Sequence, residues 1–144
     1  MADFVLIDGD TVSFLPAFGA ALVVVQPGTL KGSGPGTING KKICVDGDEK
    51  DVSVPGCTYM TPQYSIPGTG TLKITALGND QKASKTNTGG KPVLLKGSVF
   101  SAKLEVQSPA RQPPPGPGSP IPDATPQYSG QGMFITTNIK VQGI

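Results

Sequence analysis

Glycine and proline interrupt the chain so often that they limit the folds it can form. There are 20 glycines and 15 prolines among the 144 residues. Together they approach the level at which low-complexity disorder becomes plausible. Except in one stretch, however, they lie between short segments of β-forming residues rather than in a single mass. The sequence therefore predicts an all-β fold of short strands and Pro/Gly turns, in a single small domain over residues 1–144.

Apolar residues that alternate with polar ones predict where the strands lie. Residues 3–15 read as a first hairpin that turns at Asp8–Asp10. The valine-rich stretch 20–26 reads as a strand buried on both faces. Three further strands are predicted over residues 71–77, 100–106 and 133–141, the last of which would tie down the C-terminus.

Residues 36–59 are predicted to form a hairpin with a charged tip, and they contain both cysteines of the chain. If Asp46 pairs with Asp51, then Cys44 and Cys57 lie too far apart for a disulfide unless the chain folds back after the second arm. Three interpretations of the cysteines stay open: small buried residues, a disulfide, or ligands to a metal.

Two segments do not fit a sheet. Residues 78–91 show no apolar period, which predicts a mobile polar loop on the surface. Residues 109–126 contain eight prolines in eighteen positions. Because proline has no amide hydrogen to donate, this segment is predicted to stay extended and to lie along a surface or act as a stiff spacer.

A five-residue sequence occurs twice. Thr-Pro-Gln-Tyr-Ser is found at residues 61–65 and again at residues 125–129. One interpretation is coincidence in a chain rich in proline and threonine. The other is that two similar units pack in related positions, with Tyr64 and Tyr128 as matching anchors.

The chain has no histidine, which excludes hydrolases that rely on the usual catalytic triad. Carboxylates could still work in pairs, and four of the ten acidic residues crowd one predicted turn. Their spacing does not match a calcium-binding loop, so they are predicted to form a solvated hairpin tip. The residues concerned are Asp46, Asp48, Glu49 and Asp51, and the same expectation holds for Asp8 and Asp10.

Charge and hydropathy argue against nucleic-acid binding and against a membrane-spanning segment. The formal net charge of +2 comes from charges scattered along the chain, which leaves no basic stripe for a nucleic acid. The most apolar run, residues 14–25, is too short to cross a bilayer. No signal peptide is recognisable, so the chain is expected to be made in the cytoplasm.

Several short motifs taken together resemble the PAAR-like proteins that cap the central spike of contractile injection systems. The motifs are TINGKKICVDGDE at 37–49, VPGC at 54–57, KPVLLKGS at 91–98 and PAR at 109–111. Standard members of that family bind zinc near the apex through histidines and a cysteine. The resemblance thus implies an apical zinc or iron site, for which Cys44 and Cys57 are the remaining candidate ligands.

The resemblance implies a mechanical function rather than an enzymatic one. Such a protein is a conical domain whose broad base sits on a trimeric VgrG-type spike, one copy per trimer, and whose apex meets the target membrane first. It can carry an effector cargo, and it belongs to a particle that is released or fired outside the cell. The base is expected to expose apolar groups that the spike covers. The alternative is a structural or adhesive β-sandwich module of a virion or surface assembly.

Overall fold

The computed structural model describes residues 3–114, 116, 118–138 and 141–143, which form short strands and one 3-10 helix. The first eight strands are β1 (Asp3–Phe4), β2 (Thr11–Phe14), β3 (Ala17–Phe18), β4 (Ala21–Val23), β5 (Gly28–Thr29), β6 (Thr37–Ile38), β7 (Lys41–Lys42) and β8 (Ser53–Met60). The others are β9 (Gly68–Ala76), β10 (Lys82–Thr88), β11 (Lys91–Leu94), β12 (Phe100–Ser108), β13 (Arg111–Gln112), β14 (Ile121–Pro122), β15 (Gln127–Ile135) and β16 (Gln142–Gly143). The 3-10 helix spans Asp48–Asp51. The all-β prediction is confirmed.

One large sheet dominates the fold, and it curls on itself. Its eight strands lie in the order β3-β4-β8-β9-β12-β15-β2-β5, and neighbouring strands are antiparallel. Strand β2 pairs with β15, whereas β3, which follows it after two residues, pairs with β4 at the other end of the order. Residues 11–18 therefore bring the two ends of the sheet together.

Two glycines on β15 let aromatic rings fill the inside of this curl. A Cβ atom at position 130 would lie 2.5 Å from the ring of Phe18, and one at position 132 would lie 2.5 Å from the ring of Phe100. Because these positions carry no side chain, the rings pack directly on the strand backbone. The rings of Phe14 and Phe134 complete an aromatic centre around Phe100, with ring centroids 5.6 Å and 4.9 Å away.

A second, smaller apolar cluster lies outside the main core. Its buried members are Val5, Ile7, Ile38, Ala83, Val93 and Leu95. The hairpins β6–β7 and β10–β11 contribute to it, as does the segment between β1 and β2. Strand β1 pairs with β16, so the two ends of the described chain meet beside this cluster.

Two predicted strands are confirmed. Residues 71–77 fall largely within β9, where Leu72 and Ile74 are buried. Residues 100–106 fall within β12, where Phe100, Ala102 and Leu104 are buried on one face. In β12 strict alternation marks one buried face, which is the arrangement that sequence periodicity reports best, whereas in β9 Thr71 on the opposite face is also buried.

The predicted hairpin over residues 3–15 is wrong. The turn at Asp8–Asp10 is present, since the Asp10 amide donates to the Ile7 carbonyl at 3.1 Å. Its two arms, however, join different sheets: β1 pairs with β16, and β2 pairs with β15 and β5. The turn reverses the chain locally without pairing the segments on either side of it.

The strand predicted to be buried on both faces at residues 20–26 is also wrong. Only β4 forms there, with Ala21 and Val23 turned inward. Leu22 and Val24 are 61% and 64% exposed. Valine-rich sequence favours a strand but does not say whether a second layer covers it.

The predicted hairpin over residues 36–59 is wrong as well. The reversal occurs earlier, at Asn39 and Gly40, whose φ angles of 52° and 78° suit a tight turn between β6 and β7. Asp46 does not pair with Asp51, because the 3-10 helix occupies this part of the chain. Strand β8 pairs instead with β4 and β9.

The prediction of a mobile loop at residues 78–91 is wrong. Most of this stretch forms β10, which pairs with β11 across a turn at Gly89 and Gly90. Ala83 is buried in the smaller cluster, while the other residues of β10 are exposed or half-buried. A strand with one buried alanine has too little apolar alternation to be recognised.

The Pro-rich segment 109–126 stays out of the large sheet, as predicted, but it is not simply extended. It folds back on itself, so that β13 and β14 form a two-stranded ribbon. The Ile66 and Arg111 backbones exchange hydrogen bonds of 3.0 and 2.9 Å, which fix the first arm of the ribbon. Proline at the edge of such a ribbon costs no ladder hydrogen bond.

Of the final strand predicted at residues 133–141, only residues 133–135 form a strand, and a further short strand follows at β16. Strand β15 ends at Ile135, and Asn138 then closes a turn by accepting from the Val141 amide at 3.0 Å. Strand β16 ties down the C-terminal segment as predicted. Met133 and Ile135 face outward, and the predicted Ile139 lies outside the described residues.

No helix in the described part of the chain is long and apolar enough to cross a membrane.

Candidate functional site

Both cysteines are part of the main apolar core. Cys44 and Cys57 are free thiols, and each is 0% exposed. The Cys44 amide donates a hydrogen bond to the Leu6 carbonyl, and the Cys44 carbonyl accepts one from the Leu94 amide. The Cys57 sulfur lies 3.6 Å from the Val54 carbonyl oxygen. Of the three interpretations of the cysteines, this arrangement favours small buried residues.

The residues around the cysteines do not fit a zinc or iron site. Zinc in proteins generally needs four ligands, and the described residues contain no group of three or more His, Cys, Asp or Glu placed to hold a metal. Burial, together with the nearby Asp48, Asp10 and Asp8, raises the pKa of Cys44. Burial also raises the pKa of Cys57. A metal would have to bind the thiolates against these shifts, and metal binding at Cys44 and Cys57 stays a prediction.

Elemental analysis with a thiol count tests that prediction. We expect no stoichiometric zinc or iron, and two thiols per chain that react with a thiol reagent only after denaturation. A Val24→Cys variant is the control, because a thiol at this exposed position should react in the folded protein. One metal ion per chain, lost together with stability on treatment with a chelator, would show that the cysteines are ligands after all.

The predicted solvated carboxylate tip is wrong for two of its four members. Asp48 and Glu49 are each only 7% exposed. The Asp48 carboxylate accepts from the Val45 amide at 2.8 Å and from the Ser33 hydroxyl at 2.6 Å. Glu49 accepts from the Gly47 amide at 2.8 Å. These carboxylates brace the turn and the 3-10 helix, since each satisfies backbone or side-chain donors.

Asp10 is likewise buried rather than solvated, at 2% exposed. Its carboxylate accepts from the Ile7 amide at 2.8 Å and from the Thr137 amide at 3.3 Å. Asp8 accepts from the Gly32 amide at 2.9 Å. Both residues join the turn that follows β1 to distant parts of the chain, which is a structural use of charge.

A polar group that the sequence did not predict lies where the Pro-rich ribbon meets the curled sheet. Asp123, only 5% exposed, accepts from the Tyr59 hydroxyl at 3.0 Å and from the Tyr128 hydroxyl at 2.6 Å. Its other oxygen accepts from the Thr125 amide at 2.9 Å. The Tyr59 hydroxyl in turn accepts from the Ala110 amide at 2.9 Å. We call these residues, Tyr59, Ala110, Asp123, Thr125 and Tyr128, the tyrosine–aspartate network.

This network holds both ends of the ribbon at one point. The Asp123 amide donates to the Ala110 carbonyl at 2.8 Å, so the entry and exit of the ribbon are joined directly. Burial raises the pKa of Tyr59 to about 12. Burial alone would raise the pKa of Asp123, but the hydrogen bonds from Tyr128, Thr125 and Tyr59 outweigh it and lower this pKa. The Asp123 carboxylate is thus ionised, and the Tyr59 and Tyr128 hydroxyls keep their protons. The tyrosine–aspartate network therefore holds the ribbon in place and does not exchange protons.

The two Thr-Pro-Gln-Tyr-Ser copies occupy related but unequal positions. They lead into β9 and β15, the two strands that flank β12. Tyr64 and Tyr128 both pack, half-buried, against the main core. The first copy forms a turn in which the Tyr64 amide donates to the Thr61 hydroxyl at 2.9 Å, whereas the second runs directly into β15. The tyrosines of both copies pack against the main core, but the backbone around them differs between the two copies.

The outer face of the curled sheet has apolar and charged regions. Leu22 on β4, Met60 on β8 and Val24, which follows β4, are exposed. On β9 and β12, by contrast, Glu105 lies 2.8 Å from Lys73 and 3.2 Å from Lys103. Exposed apolar groups that adjoin one another mark contact surfaces more often than isolated ones do.

These features define a small structural protein, in which a curled sheet is braced by buried carboxylates and carries an uncharged patch on its outer face. The family model for the contractile injection system spike tip protein matches residues 1–144. The chain therefore belongs to this family of spike tip proteins, and the PAAR-like resemblance is confirmed. No curated protein matches it.

Membership places the chain in a contractile injection particle, associated with the spike of that particle. The one large curled sheet and the family match both favour this assignment over the β-sandwich module of a virion or surface assembly.

Proposed function

We propose that the chain caps the leading end of a trimeric VgrG-type spike, one copy per trimer, and meets the target membrane first when the particle fires. The observation that carries this proposal is the family match, which extends over residues 1–144. In this role the chain has no catalytic task. It transmits force, and the broad base that the PAAR-like resemblance implies would spread that force over the end of the spike.

The way the chain is tied together supports a mechanical role. Pairing of β1 with β16 joins the two ends of the described chain, and the tyrosine–aspartate network joins the two ends of the ribbon. Buried carboxylates fix the turns at residues 7–10 and 45–51. A part that has to survive insertion into a membrane benefits from few loosely held segments, because local opening would begin there.

The proposal extends to how the particle is used. The chain is made in the cytoplasm, is assembled into the particle and leaves the cell when the particle is released or fired. As part of the assembled tip the chain can carry an effector cargo, and its contact with the target membrane is mechanical. Nucleic acid is not expected as a partner, because the twelve basic and ten acidic residues are scattered along the sequence.

Co-elution tests the proposal in its simplest form. The purified chain, mixed with the trimeric spike protein of the same particle, should elute from a sizing column in one complex. The matched control is the same spike protein mixed with an unrelated small β protein of similar charge. A chain that elutes alone at micromolar concentrations would contradict the capping role.

A further inference from the structure

We propose that the surface formed by residues 17–22 and 60–65, here called the β3–β8 face, is the surface that sits on the end of the spike. This inference rests on the proposed function, because it names the part of the chain through which capping occurs. It commits to one occupant, the leading end of the trimeric spike.

The β3–β8 face is built by a row of cross-strand neighbours. Ala17 on β3 pairs with Leu22 on β4, and Leu22 pairs with Met60 on β8. All three side chains are exposed, with Leu22 at 61% and Met60 at 36%. Val24, two residues beyond Leu22, is turned the same way and is 64% exposed. Apolar side chains in one row present a continuous surface rather than scattered groups.

The face is free of charge. A shallow depression of about 490 Å³ lies beside the row and is lined from the two segments that define the face. Neither segment contains Asp, Glu, Lys or Arg. The charged part of the outer face, where Lys73, Lys103 and Glu105 meet, is on β9 and β12 instead. A partner can therefore cover the β3–β8 face without burying an unpaired charge, which is the condition for a stable contact.

The family explains why such a surface stays open in the isolated chain. A spike tip protein has to present a contact surface to its spike, and that surface is uncovered until the particle assembles. Other exposed apolar groups are less suited to the task. Met133 and Ile135 on β15 lie opposite Ser13 and Thr11, so polar neighbours separate them. The β3–β8 face is thus the exposed apolar surface best suited to a contact with the spike.

A charge-insertion experiment tests the assignment. Leu22→Glu should weaken binding to the trimeric spike protein by about a hundredfold or more, because the contact would then bury an unpaired carboxylate. Ile135→Glu is the matched control. Ile135 is an apolar strand residue, 52% exposed, on the same side of the sheet but away from the face. This control should bind like the unmodified chain.

A labelling experiment gives an answer that does not depend on how well the Leu22→Glu variant folds. Since Cys44 and Cys57 are 0% exposed, a Leu22→Cys variant carries one thiol open to a maleimide. Bound spike should protect this thiol from labelling, whereas the thiol of an Ile135→Cys variant should react equally with and without spike.

The outcomes separate this inference from the capping role. If the unmodified chain binds the spike and Leu22→Glu binds equally well, or the thiol at position 22 stays reactive in the complex, the face is wrongly assigned and capping stands. If the unmodified chain does not bind, the capping role and the inference both fail. If position 22 is protected in the free chain because two copies associate, the occupant is a second copy, and the inference is overturned.

Discussion

Replacing Phe100 by alanine should lower the free energy of unfolding by about 4 kcal/mol. Phe100 is 0% exposed, and its ring packs against the rings of Phe14 and Phe134. It also covers the backbone of β15 at Gly132, where no side chain could fill the space left behind. Removing the ring therefore costs both its burial and the cavity that remains.

Urea unfolding measures this effect. Val99→Ala is the matched control, because the neighbouring Val99 is 37% exposed and its truncation should cost less than about 1 kcal/mol. Since small domains have only about 5–15 kcal/mol of stability in total, the Phe100 variant should be close to the limit of folding. Equal midpoints for the two variants would mean that Phe100 does not occupy the centre of the curled sheet.

Replacing Asp123 by alanine should lower the free energy of unfolding by about 3 kcal/mol near pH 7, since the Tyr59 and Tyr128 hydroxyls lose a charged acceptor. Asp123→Asn should cost less, because its side-chain oxygen can still accept hydrogen bonds. The ends of the ribbon should loosen in the alanine variant, and faster amide exchange of Ala110 and Asp123 would report this. Asp51→Ala, at an exposed carboxylate, is the control and should change stability by less than about 0.5 kcal/mol.

The pH dependence separates a charge effect from simple loss of contacts. The pKa of Asp123 is lower in the folded chain than in the unfolded one, so its stabilisation is present above the unfolded pKa, which is about 3.9, and is lost as the pH falls through the folded pKa. The difference in stability between the unmodified chain and Asp123→Asn should therefore be constant near neutral pH and shrink below about pH 4. A difference that does not change with pH would argue against an ionised Asp123.

The sequence predicts the strands that local alternation describes and misses the pairings that bring distant segments together. Leu72 and Leu104 lie on strands in which apolar and polar residues alternate, and the sequence predicts both strands. The turn at Asp8–Asp10 was also predicted, but nothing near it indicates that β1 pairs with β16 at the other end of the chain. Pairing over such a distance depends on the packing of the whole domain, which a short window of sequence does not contain.

The buried polar groups were less accessible to prediction. Charged residues usually lie on the surface, so Asp48 and Asp10 were expected to be solvated. Their burial depends on amide donors from Val45 and Thr137, and the position of these donors follows from the fold. Asp123 is hidden in a Pro-rich segment and meets Tyr59 from 64 positions away. The family, in contrast, is recognisable from short motifs, because several of them include turns such as the one at Asn39 and Gly40, whose chemistry depends on neighbouring residues.

The mass of the complex between this chain and its spike is the most direct test of the central claim, that a single copy caps the spike. Native mass spectrometry of the co-eluting complex should give three spike chains and one copy of this chain, and the same ratio should persist when this chain is in excess. Three copies per trimer, or binding that never saturates, would contradict a cap on the spike axis and would indicate binding along its sides.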